Sequence, residues 1–191
     1  MINLAEFDEM NNAVREGLEL SAYTDADGRR RFRQSPSEIC DAILDYLIYA
    51  YVMGVQSAND DMGSSVEANT EQMDEAIYAD VAGKNWEQRI TEYAEQGDVE
   101  SIMRVVDTEM HRDASEGADN TARKAGATKK TWQTMEDDRV RDPHWWLQGV
   151  TVGIDEKFAT DGAEASYPGD FGVAYLDVGC RCFLVDRKSV V

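Results

Sequence analysis

The residues best able to do chemistry are two cysteines and a histidine. Cys180 and Cys182 stand one residue apart in "DVGCRCFLVD", and His144 lies upstream in "RDPHWWLQG". In an extended stretch, residues two apart face the same side, so both sulfurs would project together. Their Cα atoms would then lie near the upper limit of disulfide geometry, which argues against a bond between them. Two thiolates and an imidazole make a zinc donor set, with Asp138, Asp142 or water as the fourth ligand. The same residues could instead pair a cysteine nucleophile with a histidine base. The third reading is two buried thiols packed beside Trp145 and Trp146. The C-x-C spacing departs from the usual zinc pattern. The chain also lacks a glycine-rich phosphate loop, an HExxH and a GxSxG. The expectation is therefore no catalytic residue and no required cofactor. A structural zinc on His144, Cys180 and Cys182 is the alternative.

The surroundings of His144 carry both signs of charge: Asp137, Asp138, Arg139, Arg141 and Asp142. Pro143 disfavours helix at Asp142 and predicts a fixed turn there. Such a cluster can close as a buried network in which a carboxylate satisfies the histidine. His111, the second histidine, sits in a helical stretch and reads as a helix-surface residue.

The 191 residues suit one domain or two small ones. Lys plus Arg is 19 against 38 for Asp plus Glu, a net charge of −19. So acidic a surface repels phosphate, and strong non-specific binding of nucleic acid is not expected. Three cysteines do not make a disulfide framework. No charged-then-apolar leader and no membrane-length apolar run is present, so synthesis in a reducing cytoplasm is expected.

The positioning elements are mostly helical. "NLAEFDEMNNAVREGLEL" places Leu4, Phe7, Met10, Val14 and Leu18 on one face, with Asn3 as cap and Glu6 completing a capping box. Asp27-Gly28 signals a hairpin. A calcium loop is ruled out there, because Tyr23 and Gln34 fall at ligand positions. Ser35, Pro36 and Glu38 open a broad-striped helix that buries Cys40. "SANDDMGSSVEANTEQ" reads as a loop and a soft domain boundary. Two helices follow, one stopping at Gly97 and the next capped by Asp98, and "NTARKAGATKK" reads as a shorter helix or turn. Beyond Thr131, "GVTVGI" reads as a strand, "KFATDGAEASYPGDFG" as a loop, and "VAYLDVGCRCFLVD" as a strand interrupted at Gly179. The expected class is α+β. A helical region with a hairpin spans 1–75, and a small α+β domain with a short antiparallel sheet spans 76–191.

One ordered set of residues carries a resemblance. Lys130 to Trp132, Asp138-Arg139-x-Arg141, His144, Leu147-x-Gly149, Phe158, Pro168-Gly169-Asp170 and Cys180-Arg181-Cys182 follow one another as in the C-terminal domain of the phage Mu F-like minor head proteins, the phage head morphogenesis family. Thr108-Glu109 and Arg112 fall where that family's helical lead-in has them. The resemblance runs from about Tyr78 to Leu184, and it departs at Gly179, where the family often has Asn. It implies a minor structural protein of a tailed-phage or prophage head, made in the bacterial host cytoplasm and carried in the virion. It would bind the portal protein or other capsid proteins, in head assembly or DNA delivery. Trp132, Asp138, Arg139, Arg141, His144, Cys180, Arg181 and Cys182 are its signature positions. The first helix and the Arg29–Arg33 hairpin are the expected contact surfaces. The alternative is a metal-dependent or cysteine enzyme centred on His144, Cys180 and Cys182. In the preferred reading, the C-R-C segment closes the fold against Asp138–His144, and Arg181 turns away to pair with a carboxylate.

Overall fold

Helix ends are set by local chemistry. In the computed structural model, which describes residues 4–81 and 83–187, the helical part comprises α1 (Leu4–Ser21), α2 (Pro36–Met62), α3 (Thr70–Ile77), α4 (Trp86–Gln96) and α5 (Val99–Lys124). Ser35 and Glu38 form a capping box at the start of α2, and Asn85 and Gln88 form another at the start of α4. Gly97 stops α4 in the left-handed region at φ 70, and Asp98 accepts from Ser101 N–H to start α5. The Asn3 cap and the side chain of Leu4 lie outside the described residues. Phe7, Met10, Val14 and Leu18 bury in the helical core, with α1 packed mainly on α5 and α2, as their spacing predicts.

The second part is built on a three-stranded antiparallel sheet, ordered β4 (Thr151–Gly153), β3 (Lys129–Gln133), β7 (Phe183–Arg187). Two short helices, α6 (Asp142–Trp145) and α7 (Ala174–Asp177), lie in its connections. Two hairpins stand apart: β1 (Ala22–Thr24) with β2 (Arg30–Phe32), and β5 (Phe158–Thr160) with β6 (Ala163–Ala165). The class is α+β, as the residue pattern implies. No helix among the described residues is long and apolar enough to cross a membrane.

Several local expectations give way to packing. The polar stretch after Gln56 is not all loop: α2 continues to Met62, because Ala58 and Met62 bury against Ala118, Ala122 and Ala127. The stretch from Asn120 to Lys124 is the end of α5 rather than a separate turn of helix. The supposed loop 157–172 contains the β5–β6 hairpin, whose turn places Asp161 and Gly162 at positive φ, as an Asp-Gly turn does. The early part of the expected last strand is helix α7, and pairing begins only at Phe183. His111 is not on the surface: its ring stacks on Phe7 at 4.5 Å. The basic hairpin is largely engaged within the chain. Arg30 pairs with Glu19, Arg31 donates to the Glu95 carbonyl at 2.7 Å, and Arg33 donates to the Leu20 carbonyl at 3.0 Å.

α5 joins the two parts. Its first half supplies Ile102, Val106 and Met110 to the helical core. It touches α2 backbone to backbone: a Cβ on Gly54 would lie 1.9 Å from the Ala114 carbonyl oxygen, and one on Gly117 would lie 2.5 Å from the Tyr51 carbonyl oxygen. Its second half buries charge. Arg112 donates to the Ala76 carbonyl at 2.7 Å and pairs with Asp113 and Glu109, each at 2.9 Å. Gly169 rests on the Arg112 stem, where a Cβ would approach Arg112 Cβ to 3.1 Å. Further along, Asp119 accepts from the fully buried Lys130 of β3 at 3.0 Å and from Arg123 at 2.6 Å. Asp186 of β7, across the ladder from Lys130, is buried with neither carboxylate oxygen hydrogen-bonded.

Two outcomes follow from this packing. In an exposed helix, Gly→Ala gains up to about 1 kcal/mol, but at these contacts two backbones must separate, which costs roughly 1–3 kcal/mol. Gly54→Ala and Gly117→Ala should each lower the urea midpoint, opposite in sign to a propensity effect. Asp186 gives a pH effect. Burial, reinforced by Asp119 and Asp61 and opposed by Lys130 and Arg123, pushes its carboxyl up from 3.8 to about 7. Between those values the folded chain holds a proton that the unfolded chain has lost, so this group's contribution to stability declines as pH rises. Each tenfold change in acidity is worth about 1.4 kcal/mol. Asp186→Asn should therefore raise stability by roughly 4 kcal/mol above neutrality and leave it nearly unchanged near pH 4 (about the unshifted carboxyl value). Thermal melts across pH read both effects.

Candidate functional site

The second core is organised around Trp132 on the central strand. Its indole is fully buried, with Phe158 at 5.2 Å, Phe171 at 5.6 Å and the His144 ring edge-on at 5.6 Å. His144 reaches it from α6, where Pro143 occupies the first turn and the His144 N–H donates to the Arg141 carbonyl at 2.9 Å. That turn sends His144 inward and leaves Trp145 and Trp146 outside, with Trp146 79% exposed. The thiols thus pack against Trp132, Phe158 and Phe171, not beside Trp145 and Trp146.

The cysteines arrive through a chain reversal. The Asp177 carboxylate accepts from the N–H groups of Phe171 at 3.1 Å and Val173 at 3.0 Å, curling the segment into α7. Gly179 then turns at φ 67, a conformation that favours glycine. Arg141 holds the reversal from outside, donating to the Tyr175 carbonyl and, at 2.6 Å, to the Val178 carbonyl. The result places His144 Nδ1 3.6 Å from Cys180 Sγ and 3.4 Å from Cys182 Sγ. All three residues are buried, and all three cysteines of the chain are free thiols.

The carboxylates around His144 do not satisfy it. Asp138 and Asp142 are exposed, and the described metal-competent cluster contains only His144, Cys180 and Cys182. His144 Nε2 is buried without a hydrogen-bond partner, among the rings of Trp132 and Phe171. Arg139 is exposed as well, whereas Arg181 turns away from the thiols and pairs with Asp137 at 2.7 Å. The two thiols differ electrostatically. Cys180 is held well above the ordinary thiol value by its hydrogen bond to Cys182 and by burial. Cys182 is lowered, first by that same hydrogen bond and, against burial, by the nearby positive charge of Arg141 and Arg181. Cys40 stands apart in the helical core, where burial pushes its thiol up to about 11.

The sequence pattern did not reveal Asp177 or Asp137 as partners. Asp137 acts through a contact 44 positions away that only the folded chain creates, and Asp177 through a local turn hidden by the alternating pattern of its stretch. The nearest clue to Asp177 was its place just before the interrupting Gly179.

The model of the family described as phage Mu protein F-like protein matches residues 70–185, a span that holds every signature residue from Trp132 to Cys182. The chain belongs to this family, which connects it with bacteriophage head morphogenesis. The NAD(+)–arginine ADP-ribosyltransferase EFV of Enterococcus faecalis (strain ATCC 700802 / V583) is 41% identical over 58 residues. Those residues are 30% of this chain and 12% of that protein, so the chain covers only a small part of it. No solved structure matches.

Arg141 makes a specific expectation possible. Its two charge-assisted bonds hold the turn over the thiols, and each such bond contributes about 1.5–3 kcal/mol. Losing even one makes the open form at least roughly tenfold more populated, since about 1.4 kcal/mol is tenfold. Arg141→Ala should speed labelling of Cys180 and Cys182 by a thiol reagent by that factor. Labelling of Cys40 should stay unchanged, as peptide mapping by mass spectrometry would report.

Proposed function

We propose that the chain is a minor structural protein of a tailed-phage or prophage head, present in the virion, and that it works by binding the portal or another capsid protein. The observation that carries this reading is the family match across residues 70–185. The distribution of surface supports it. The signature residues Trp132, His144, Cys180 and Cys182 are buried and serve the fold, while exposed apolar groups lie beside them. Trp145, Trp146, Tyr175 and Val178 are exposed on α6 and α7 and the residues just after them, the two segments that Arg141 ties together. Large aromatics of this kind supply most of the binding energy in protein interfaces. The expected N-terminal surface is less available, because the apolar face of α1 is spent on the core.

The same geometry speaks for binding rather than catalysis. His144 Nδ1 faces two buried sulfurs at nearly equal distance, whereas a nucleophile and base form one directed pair open to substrate. The similarity to an ADP-ribosyltransferase covers 12% of that protein and lends the whole enzyme's chemistry no support here.

Native mass spectrometry of the chain with the portal protein encoded in the same phage genome tests the proposal. A defined complex is expected, and Trp146→Ala should weaken it roughly 5- to 30-fold, the loss of about 1–2 kcal/mol expected of an interface aromatic. Failure to associate with the portal and the other capsid proteins would reject the reading.

A further inference from the structure

We propose that His144 Nδ1, Cys180 Sγ and Cys182 Sγ bind a single zinc ion that locks the end of the second core. The inference stands apart from the head-protein reading, since it concerns how the fold is closed.

The first argument is distance. Zinc holds imidazole nitrogen at about 2.1 Å and thiolate sulfur at about 2.3 Å, so N and S on one tetrahedral ion stand about 3.6 Å apart. The observed separations are 3.6 Å to Cys180 and 3.4 Å to Cys182, and all three donor atoms lie within 4.8 Å of one another.

The second argument is valence. One ring nitrogen carries one proton or one lone pair and can make one good hydrogen bond. Here it faces two sulfurs almost equally, and those two sulfurs also face each other. A hydrogen on the ring nitrogen or on a thiol can serve one of these contacts at a time, whereas a shared cation between the three atoms serves all of them at once.

The third argument is placement. The donors come from α6 and from the turn before β7, the two segments whose joining completes the core around Trp132. A small recess beside them is lined by Met135, Arg139, Val140, Arg141 and Gly179, and it offers the fourth position to a water molecule. Two thiolates and a neutral imidazole balance the charge of the ion. A sulfur-rich, nitrogen-containing set of this kind suits zinc over magnesium or calcium. Binding releases one proton from each thiol to solvent and changes no oxidation state.

The test uses the full chain, purified under reducing conditions, with Zn2+ and Co2+ as the probes. Elemental analysis should find one zinc per chain. Replacement by Co2+ should give the thiolate-to-metal charge-transfer and intense d–d absorption of a four-coordinate site. Cys180→Ser, Cys182→Ser and His144→Ala should each weaken Co2+ binding by more than the roughly 10–100-fold seen when residues behind metal ligands are changed. Cys40→Ser should leave it intact. Circular dichroism confirms that each variant is folded. Should all three variants misfold, the wild-type Co2+ spectrum and the Cys40→Ser control decide. A folded, reduced wild-type chain that gives no four-coordinate Co2+ spectrum overturns the proposal. So does a spectrum that persists in Cys182→Ser or disappears in Cys40→Ser.

Discussion

The buried ion pair between Asp119 of α5 and Lys130 of β3, at 3.0 Å with the lysine wholly shielded from water, is the constraint around which the two halves are arranged. A buried ammonium with no partner would cost several kcal/mol, so β3 can lie only where Asp119 meets it. β3 in turn is the central strand, and both its neighbours take their register from it. The sheet is thereby fixed on α5, and α5 is fixed on α2 by the close approach at Gly54 and Gly117. One helix thus transmits position from the N-terminal bundle to the strand that carries Trp132.

The second core shows how a small sheet is closed without much area. Three strands of three to five residues bury little apolar surface on their own. The deficit is offset by dense aromatic packing around Trp132 and by polar contacts that pin the connections. Asp177 curls the chain into α7, Arg141 clamps the carbonyls of that turn, and Arg181 reaches Asp137. The two arginine contacts reach 34 to 44 positions along the chain, while Asp177 acts within its own turn. The His144 and cysteine cluster sits where the clamped turn and α6 meet, so its geometry is the end product of every contact before it.

This arrangement explains why signature positions in the chain divide into two kinds. Trp132, His144, Cys180 and Cys182 are inside and serve the fold. Asp138 and Arg139 are exposed. A recurring pattern in sequence therefore mixes residues that shape the domain with residues free to meet other molecules. The exposed tryptophans of α6 belong to neither the core nor the trio, and they lie outward because Pro143 and the Arg141 carbonyl fix the direction of that single turn.

Much of the architecture was legible in the residues themselves. The capping box at Ser35, the cap at Asp98, the stop at Gly97 and the apolar rows of α1 and α2 are local physics, carried by backbone donors and side chains a few positions apart. The Asp27-Gly28 turn is local too, and the Asp161-Gly162 turn offered the same signal. The α+β class and the ordered motif from Trp132 to Cys182 were likewise readable along the chain. What only the tertiary structure decided are the features that depend on partners distant in sequence. α2 runs on to Met62 because Ala118 and Ala122 are there to cover it. The last strand starts only at Phe183 because that is where β3, some fifty residues earlier, begins to pair with it. His144 meets two thiols instead of a carboxylate because the turn before β7 delivers them to Trp132's edge. Periodicity and turn chemistry specify which elements form. Which side chains converge depends on burial, and a buried donor or charge takes whichever partner the packed chain places beside it.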